Sequence, residues 1–246
     1  LFRSDLDVRT KGDKTDVVTR ADIETQRRVC EVIHESTPEA VVVGEEGDAP
    51  SAIPESGPSW VVDPIDGTHN YVTGIRRWVT SVAAVEDGEP VAAANVLPAL
   101  GDTYVAGRES ARRNGEPITV STRSDPEVCT VVPTIWWNRD RRAEYATATT
   151  EIVQRFGDLA RFKSAQAVLS LLAAGGVDGA FTTVDPNPWD TVAGVYLLRQ
   201  AGGRVTDLAG DPWTHESTGL VASNGRIHER VLAAAQATAD AGDVRY

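Results

Sequence analysis

The segment Trp60-Val61-Val62-Asp63-Pro64-Ile65-Asp66-Gly67-Thr68 limits what this chain can fold into more than any other. An apolar strand runs straight into two aspartates three residues apart, and a glycine and a hydroxyl follow. Pro64 stiffens the turn and holds the two carboxylates apart in fixed directions. Asp-Pro and Asp-Gly are common turn pieces by themselves. Gly67-Thr68 at a helix start adds backbone N–H groups that can receive an anion. Carboxylates gathered at a strand end beside such groups suit hard cations held against a phosphate.

Two further acidic segments fit the same site. Glu45-Glu46 directly follow the apolar run Val41-Val42-Val43, so at least one carboxylate sits at the rim of the core. Asp190 follows Trp189 far downstream, and Asp22 opens a helical stretch; either alone reads as a helix cap. Together the Asp63–Thr68 segment, Glu45-Glu46 and Trp189-Asp190 point to a metal-dependent phosphatase.

Residues 19–36 read as an amphipathic helix starting at Thr19 or Asp22. Three prolines and two glycines make 47–59 a surface loop. Residues 78–86 and 90–97 flank Asp87-Gly88 as a hairpin, and 102–106 and 117–121 flank Asn114-Gly115 as a second. The second half alternates: strand 128–132, helix 140–156, a small-residue helix over 164–174, strand 177–183, helix 190–201, strand 204–208 and helix 226–239. The chain therefore reads as α+β with an antiparallel sheet over residues 1–124 and as layered α/β over 125–246.

Net charge is −12 across 246 residues, and only three of 24 cationic side chains are lysines, Lys11, Lys14 and Lys163. That balance argues against nucleic-acid binding as the main task. No apolar run approaches the roughly 20 residues of a membrane helix. Leu1–Asp5 lacks the features of a signal peptide, so a cytoplasmic location is expected. Cys30 and Cys129 are too few and too far apart for a disulfide framework, and the four histidines show no zinc spacing. Trp136-Trp137 and Tyr145 are expected in core packing or a subunit interface.

Taken in order, Gly44-Glu45-Glu46, Asp63-Pro64-Ile65-Asp66-Gly67-Thr68 and Trp189-Asp190 before Ala201-Gly202-Gly203 resemble the inositol monophosphatase family of magnesium-dependent, lithium-sensitive sugar phosphatases. Lys11 through Asp16-Val17-Val18-Thr19 to Asp22 matches as well, so the resemblance covers nearly the whole chain. It implies the layered α-β-α-β-α sandwich of those phosphatases and a homodimer. It implies two to three Mg²⁺ ions: Glu45, Asp63 and the carbonyl of Ile65 on the first, and Asp63, Asp66 and Asp190 on the second. A weaker third ion is supported through waters by Glu45, with Glu46 orienting that shell. Thr68 and Asp22 resemble the pair that activates the attacking water, and the N–H groups of Gly67 and Thr68 resemble the phosphate cradle.

Departures from the family pattern bear on substrate. Inositol-selective members carry a glutamate upstream of Trp-Asp where this chain has Thr183. The usual glycine before Ser164-Ala165 is Lys163. The substrate expected is a small phosphorylated sugar or polyol, inositol-1-phosphate or fructose-1,6-bisphosphate. Lys163, Ser164, Ala165 and Thr183 are its candidate contacts, and Lys163 favours a second anionic group. Histidinol phosphate and 3′-phosphoadenosine nucleotides are the rival substrates. A non-catalytic partner of RNA or transcription is the rival class.

Overall fold

The computed structural model describes residues 8–10, 17–135 and 137–242; Lys11, Asp16 and Trp136 fall outside them. Strands β1 (Val8–Thr10) and β2 (Val17–Thr19) pair antiparallel and lead into α1 (Arg20–Ser36). Thr19 is the N-cap and forms a capping box with Asp22, which satisfies the free N–H groups of the first turn. The expected helix is therefore present with the expected start.

Strand β3 (Val41–Gly44) lies parallel to β4 (Pro58–Asp66), and α2 (Thr68–Thr73) follows at once. Then β5 (Val79–Glu86), β6 (Glu89–Leu97), β7 (Asp102–Ala106), β8 (Ala111–Arg113) and β9 (Glu116–Pro117) complete a seven-stranded sheet in chain order. The Asp87-Gly88 hairpin has both turn residues at positive φ, 50° and 80°, as a two-residue primed turn requires. Asn114-Gly115 does the same at 51° and 88°, but it joins β8 to β9. The strand expected over 117–121 is absent. A two-residue turn pairs its immediate flanks; the Ile118 N–H still bonds the Ala111 carbonyl at 3.0 Å, but the Val120 N–H turns instead to the Ala201 carbonyl at 3.1 Å, so the chain leaves β8 there.

The second half contributes β10 (Thr130–Pro133), α3 (Arg142–Arg155), β11 (Asp158–Leu159), α4 (Ala165–Ala173), β12 (Gly179–Thr182) and α5 (Pro188–Gln200). Strands β13 (Arg204–Thr206) and β14 (Leu220–Ser223) precede α6 (His228–Gly242). The sheet order is β11-β10-β12-β14-β13, with β10 parallel to β11 and β12 and β14 antiparallel to both its neighbours. The sequence reading missed β11 and β14. Both are short, and β14 follows the polar run Glu216-Ser217-Thr218-Gly219.

Burial alternates along the strands and so defines the layers. Val61 and Val43 face a core shared with α4, α5 and the inner residues Val132, Ala180 and Ala222 of the second sheet. Val62 and Val42 face the other way, against Ile33 of α1. Val131, Phe181 and Val221 pack outward on α3 and α6. The stack is α1, first sheet, α4 and α5, second sheet, α3 and α6: the expected α-β-α-β-α sandwich. The central core crosses residue 124, so both halves of the chain build it. Trp137 is buried, stacked on Tyr145 at 5.2 Å, and belongs to the outer core.

Candidate active site

Residues three apart on a regular strand point to opposite faces. Between Asp63 and Asp66 the β4–β5 register shifts, and Pro64 stands inside the irregularity. The slip brings both carboxylates to one place, where oxygens of Asp63, Asp66 and Asp190 lie within 4.8 Å of one another. Asp190 arrives on the first turn of α5, where its Oδ2 accepts from the Asn187 N–H at 3.3 Å and Nδ2 at 3.1 Å. Asn187 caps the helix, so Asp190 is its N3 residue and not the N-cap.

Asp66 is gripped by α4. Its Oδ2 accepts from the Ser164 hydroxyl at 2.5 Å and the Gln166 N–H at 2.6 Å, and its Oδ1 accepts from the Ala165 N–H at 3.2 Å. The positive end of a helix thus stabilises one of the clustered charges. Ser164 and Ala165 accordingly touch the acidic cluster directly.

Gly67 is the N-cap of α2 at φ 88°. A Cβ there would lie 3.0 Å from the Lys163 carbonyl oxygen and 3.1 Å from Ser164 Cβ. Both the backbone angle and the close approach exclude a side chain. Thr68 Oγ1 lies 3.1 Å from Asp22 Oδ1 and 3.1 Å from the Ile65 carbonyl oxygen. Asp22 is fully buried, and its other oxygen accepts from the Thr19 N–H at 2.7 Å and hydroxyl at 2.5 Å. The capping box of α1 therefore aims one carboxylate oxygen at Thr68.

Glu46 is buried and Glu45 half-buried just beyond β3. The turn is held by Gln26, whose Oε1 accepts from the Glu46 N–H at 2.9 Å and whose Nε2 donates to the Glu46 carbonyl at 2.5 Å. Burial, then the charges of Glu45, Asp66, Asp190 and Asp22, push the Asp63 carboxyl well above the usual range. Asp66 is raised to about 6 by burial, against the opposing hydrogen bonds from Ser164, Gln166 and Ala165. Asp63 Oδ1 is enclosed and finds no hydrogen-bond donor among the described residues. An all-oxygen set with an orphaned buried oxygen and mutual repulsion fits a hard divalent cation.

The remaining candidates sit at the margin. Lys163 adopts φ 55°, a left-handed angle that glycine takes without strain, directly before the cap of α4. Thr183 is buried. Its hydroxyl donates to Glu144 and accepts from Trp137 Nε1 at 3.0 Å. Arg141 closes that network with two bonds of 2.7 Å to Glu144.

Other residues hold the site without a signal in the sequence. Gln166 bonds the Trp189 carbonyl at 2.7 Å and accepts from Asn95 at 2.9 Å, tying α4 to α5 and β6. Asn70 donates to the carbonyls of Arg77 at 2.6 Å and Phe162 at 2.7 Å, pinning α2 to the loop before α4. His69 is held below its usual pKa by burial and then by the charge of Lys163.

Comparison with known proteins agrees with this geometry. Residues 1–240 match the profile of the Inositol monophosphatase family, and the chain belongs to that family. A curated relative from Thermotoga maritima, named Fructose-1,6-bisphosphatase/inositol-1-monophosphatase, is 35% identical over 231 residues, 92% of this chain and 84% of that one. A Pasteurella multocida relative named Nus factor SuhB is 31% identical over 232 residues, 94% of this chain and 86% of its own. The solved structure of a Thermotoga maritima IMPase superposes with a TM-score of 0.88 at 31% identity, covering 97% of this chain and 90% of that one. The chain is thus a phosphoric monoester hydrolase of the inositol monophosphatase family.

Proposed function

We propose that the chain hydrolyses a small phosphorylated sugar or polyol with Mg²⁺, on the strength of the carboxylate cluster of Asp63, Asp66 and Asp190 beside the Thr68–Asp22 pair. Glu45, Asp63, Asp66, Asp190 and the carbonyl of Ile65 would hold two to three ions. When bound, Mg²⁺ supplies charge that acidifies water and neutralises the phosphoryl oxygens and the leaving alkoxide. Thr68 Oγ1 orients the attacking water, and Asp22 Oδ1, hydrogen-bonded to it, takes up the proton. The N–H groups of Gly67 and Thr68 hold phosphate oxygens, and Glu46 orients the outer shell. The hydrogen bonds from α4 oppose the burial that disfavours the Asp66 charge and hold its carboxylate in place, so little reorganisation is needed on reaction.

A bisphosphate, fructose-1,6-bisphosphate first, is the preferred substrate over inositol-1-phosphate. Position 183 offers no carboxylate for ring hydroxyls, and Lys163 adds positive charge beside Gly67. The Nus factor relative keeps a non-catalytic role in view, but the complete ligand set and the charge of −12 favour catalysis. A homodimer in the cytoplasm is the proposed setting.

Phosphate release from a panel including both substrates, histidinol phosphate and a 3′-phosphoadenosine nucleotide, with Mg²⁺ and with EDTA, tests this reading. Release should require Mg²⁺, and kcat/KM should be highest for the bisphosphate. Lys163→Ala should lower the bisphosphate value selectively, by about ten- to hundred-fold for a lost charge-assisted contact. Equal slowing of both substrates would leave the metal assignment standing and remove the role of Lys163.

A further inference from the structure

Asp66 and Asp190 reach the acidic cluster from different layers, one at the end of β4 and one on the first turn of α5. Their charges and that of Asp63 repel, which works to spread the cluster. Mg²⁺ asks for near-ideal octahedral geometry at about 2.0–2.1 Å and tolerates little drift among its oxygens. The spacing of the two elements therefore has to be fixed by other groups. The bonds from Asn187 to Asp190 lie at the exposed rim and are long, 3.3 and 3.1 Å.

Gln166 bonds to both sides. Its N–H donates to Asp66 Oδ2 at 2.6 Å, and its side-chain Nε2 donates at 2.7 Å to the Trp189 carbonyl, the peptide unit that leads into Asp190. A single buried residue thus spans the gap between the two carboxylate-bearing elements. The amide is locked in direction. Its Oε1 accepts from Asn95 Nδ2 at 2.9 Å, which leaves Nε2 for the carbonyl. Asn95 Nδ2 is held in turn by donating to the Ser170 hydroxyl at 3.0 Å. Helices α4 and α5 approach closely enough because residue 194 is glycine. A Cβ there would lie 2.7 Å from Gln166 Oε1 and 2.6 Å from Leu169 Cβ.

This polar seam costs stability. It runs through the apolar core formed by Ala167, Val168, Leu169 and Val192. Asn95 is fully buried, and its Oδ1 finds no donor among the described residues. Apolar side chains of the same shape would pack this contact without leaving an oxygen unsatisfied. Each such exception calls for a reason.

We propose that Gln166 is a positioning residue of the metal centre: its N–H and its side-chain amide together fix the spacing of Asp66 and Asp190, and with it the affinity for the ion these carboxylates share. The proposal rests on the metal-dependent reading above and adds a residue outside the ligand set. Groups that stand behind metal ligands change affinity about ten- to hundred-fold when removed.

The test compares the full chain with Gln166→Met and with the double variant Asn95→Val, Gln166→Met. Methionine keeps the length of glutamine and the N–H to Asp66, but it cannot donate to Trp189. The double variant makes both partners of the amide pair apolar and removes the unsatisfied oxygen. Mn²⁺ is the probe, and the electron paramagnetic resonance signal of the free ion gives its Kd without turnover. Gln166→Met should weaken Mn²⁺ about ten- to hundred-fold and lower Tm in EDTA. In the double variant Tm in EDTA should return to the wild-type value or above, while Mn²⁺ binding stays weak. A purely structural amide would move Tm and leave the Mn²⁺ Kd unchanged, and that result in either variant overturns the role of Gln166. Recovery of tight Mn²⁺ binding together with Tm in the double variant would overturn it as well, since the loss would then follow stability. In both cases the wild-type chain still binds Mn²⁺ and the metal assignment stands. A wild-type chain that binds no Mn²⁺ fails before any substitution is made, and it removes the metal reading and the role of Gln166 together.

Discussion

Asp63 concentrates the conflict between stability and function in this molecule. It is 1% exposed, has an oxygen without a donor among the described residues, and shares its space with Glu45, Asp66, Asp190 and Asp22. Without a cation, every one of these charges raises the energy of the fold. Asp63→Asn removes one charge and keeps the shape. Turnover with Mg²⁺ should disappear, since an amide is a poor ligand for a hard ion. Thermal unfolding in EDTA should show a Tm equal to or above that of wild type, since repulsion is relieved. Activity within a few-fold of wild type would remove Asp63 from the metal set. Lys163 is a second residue whose local geometry works against stability, because its left-handed backbone would be relaxed by glycine.

The elements show which of these features a sequence carries on its face. The β4 motif, the α1 cap at Thr19 and the primed turn at Asp87-Gly88 are local patterns, and each was legible because neighbours in sequence are neighbours in space. The clamp of α4 on Asp66 was not, since its partners lie 98 to 100 residues apart. Gln166 and Asn70 were hidden for the same reason: their bonds reach 23 and 92 residues away. Thr183 was located by motif alignment, but its bonds to α3 came only from the packing of β12. The clamp implies a test at Gly67. Gly67→Ala would place a Cβ 3.0 Å from the Lys163 carbonyl at φ 88°, and should cost about 1–3 kcal/mol in urea unfolding and depress turnover together. Loss of one without the other would mean that α2 and the α4 loop are not joined at this contact. The junction of β13, β14 and α6 holds His228, 1% exposed between the hydroxyls of Thr206 at 3.0 Å and Ser223 at 2.8 Å. Burial, then the charge of Arg204, lowers its pKa from 6.5 to about 4. The unfolded chain therefore binds the proton more readily than the folded one. The contribution is complete above pH 6.5 and is lost as pH falls toward 4. Between pH 7 and 4.5, wild type should lose about 2 kcal/mol more than His228→Gln in denaturant titrations. Parallel pH profiles would show that His228 titrates normally.

Across the whole molecule, two electrostatic effects act in the same direction and need separating. A net charge of −12 makes the folded chain self-repelling, so any salt should raise Tm by screening. The acidic cluster adds a local term. Its carboxylates come from β4 in the first sheet and from α5 in the central layer, so a cation held among them would bridge two layers of the sandwich. An ion that binds the native state alone stabilises it by mass action, about 2.7 kcal/mol at a hundred times its dissociation constant. Mg²⁺ should therefore raise Tm beyond the shift given by KCl at the same ionic strength, and EDTA should reverse only that excess. In Asp63→Asn the KCl shift should persist while the Mg²⁺ excess collapses. Screening acts on the whole surface, whereas the excess needs the buried bridge. If Mg²⁺ and KCl shift wild type equally, the cluster does not take up the ion, and the phosphatase mechanism loses its metal before any substrate is tried.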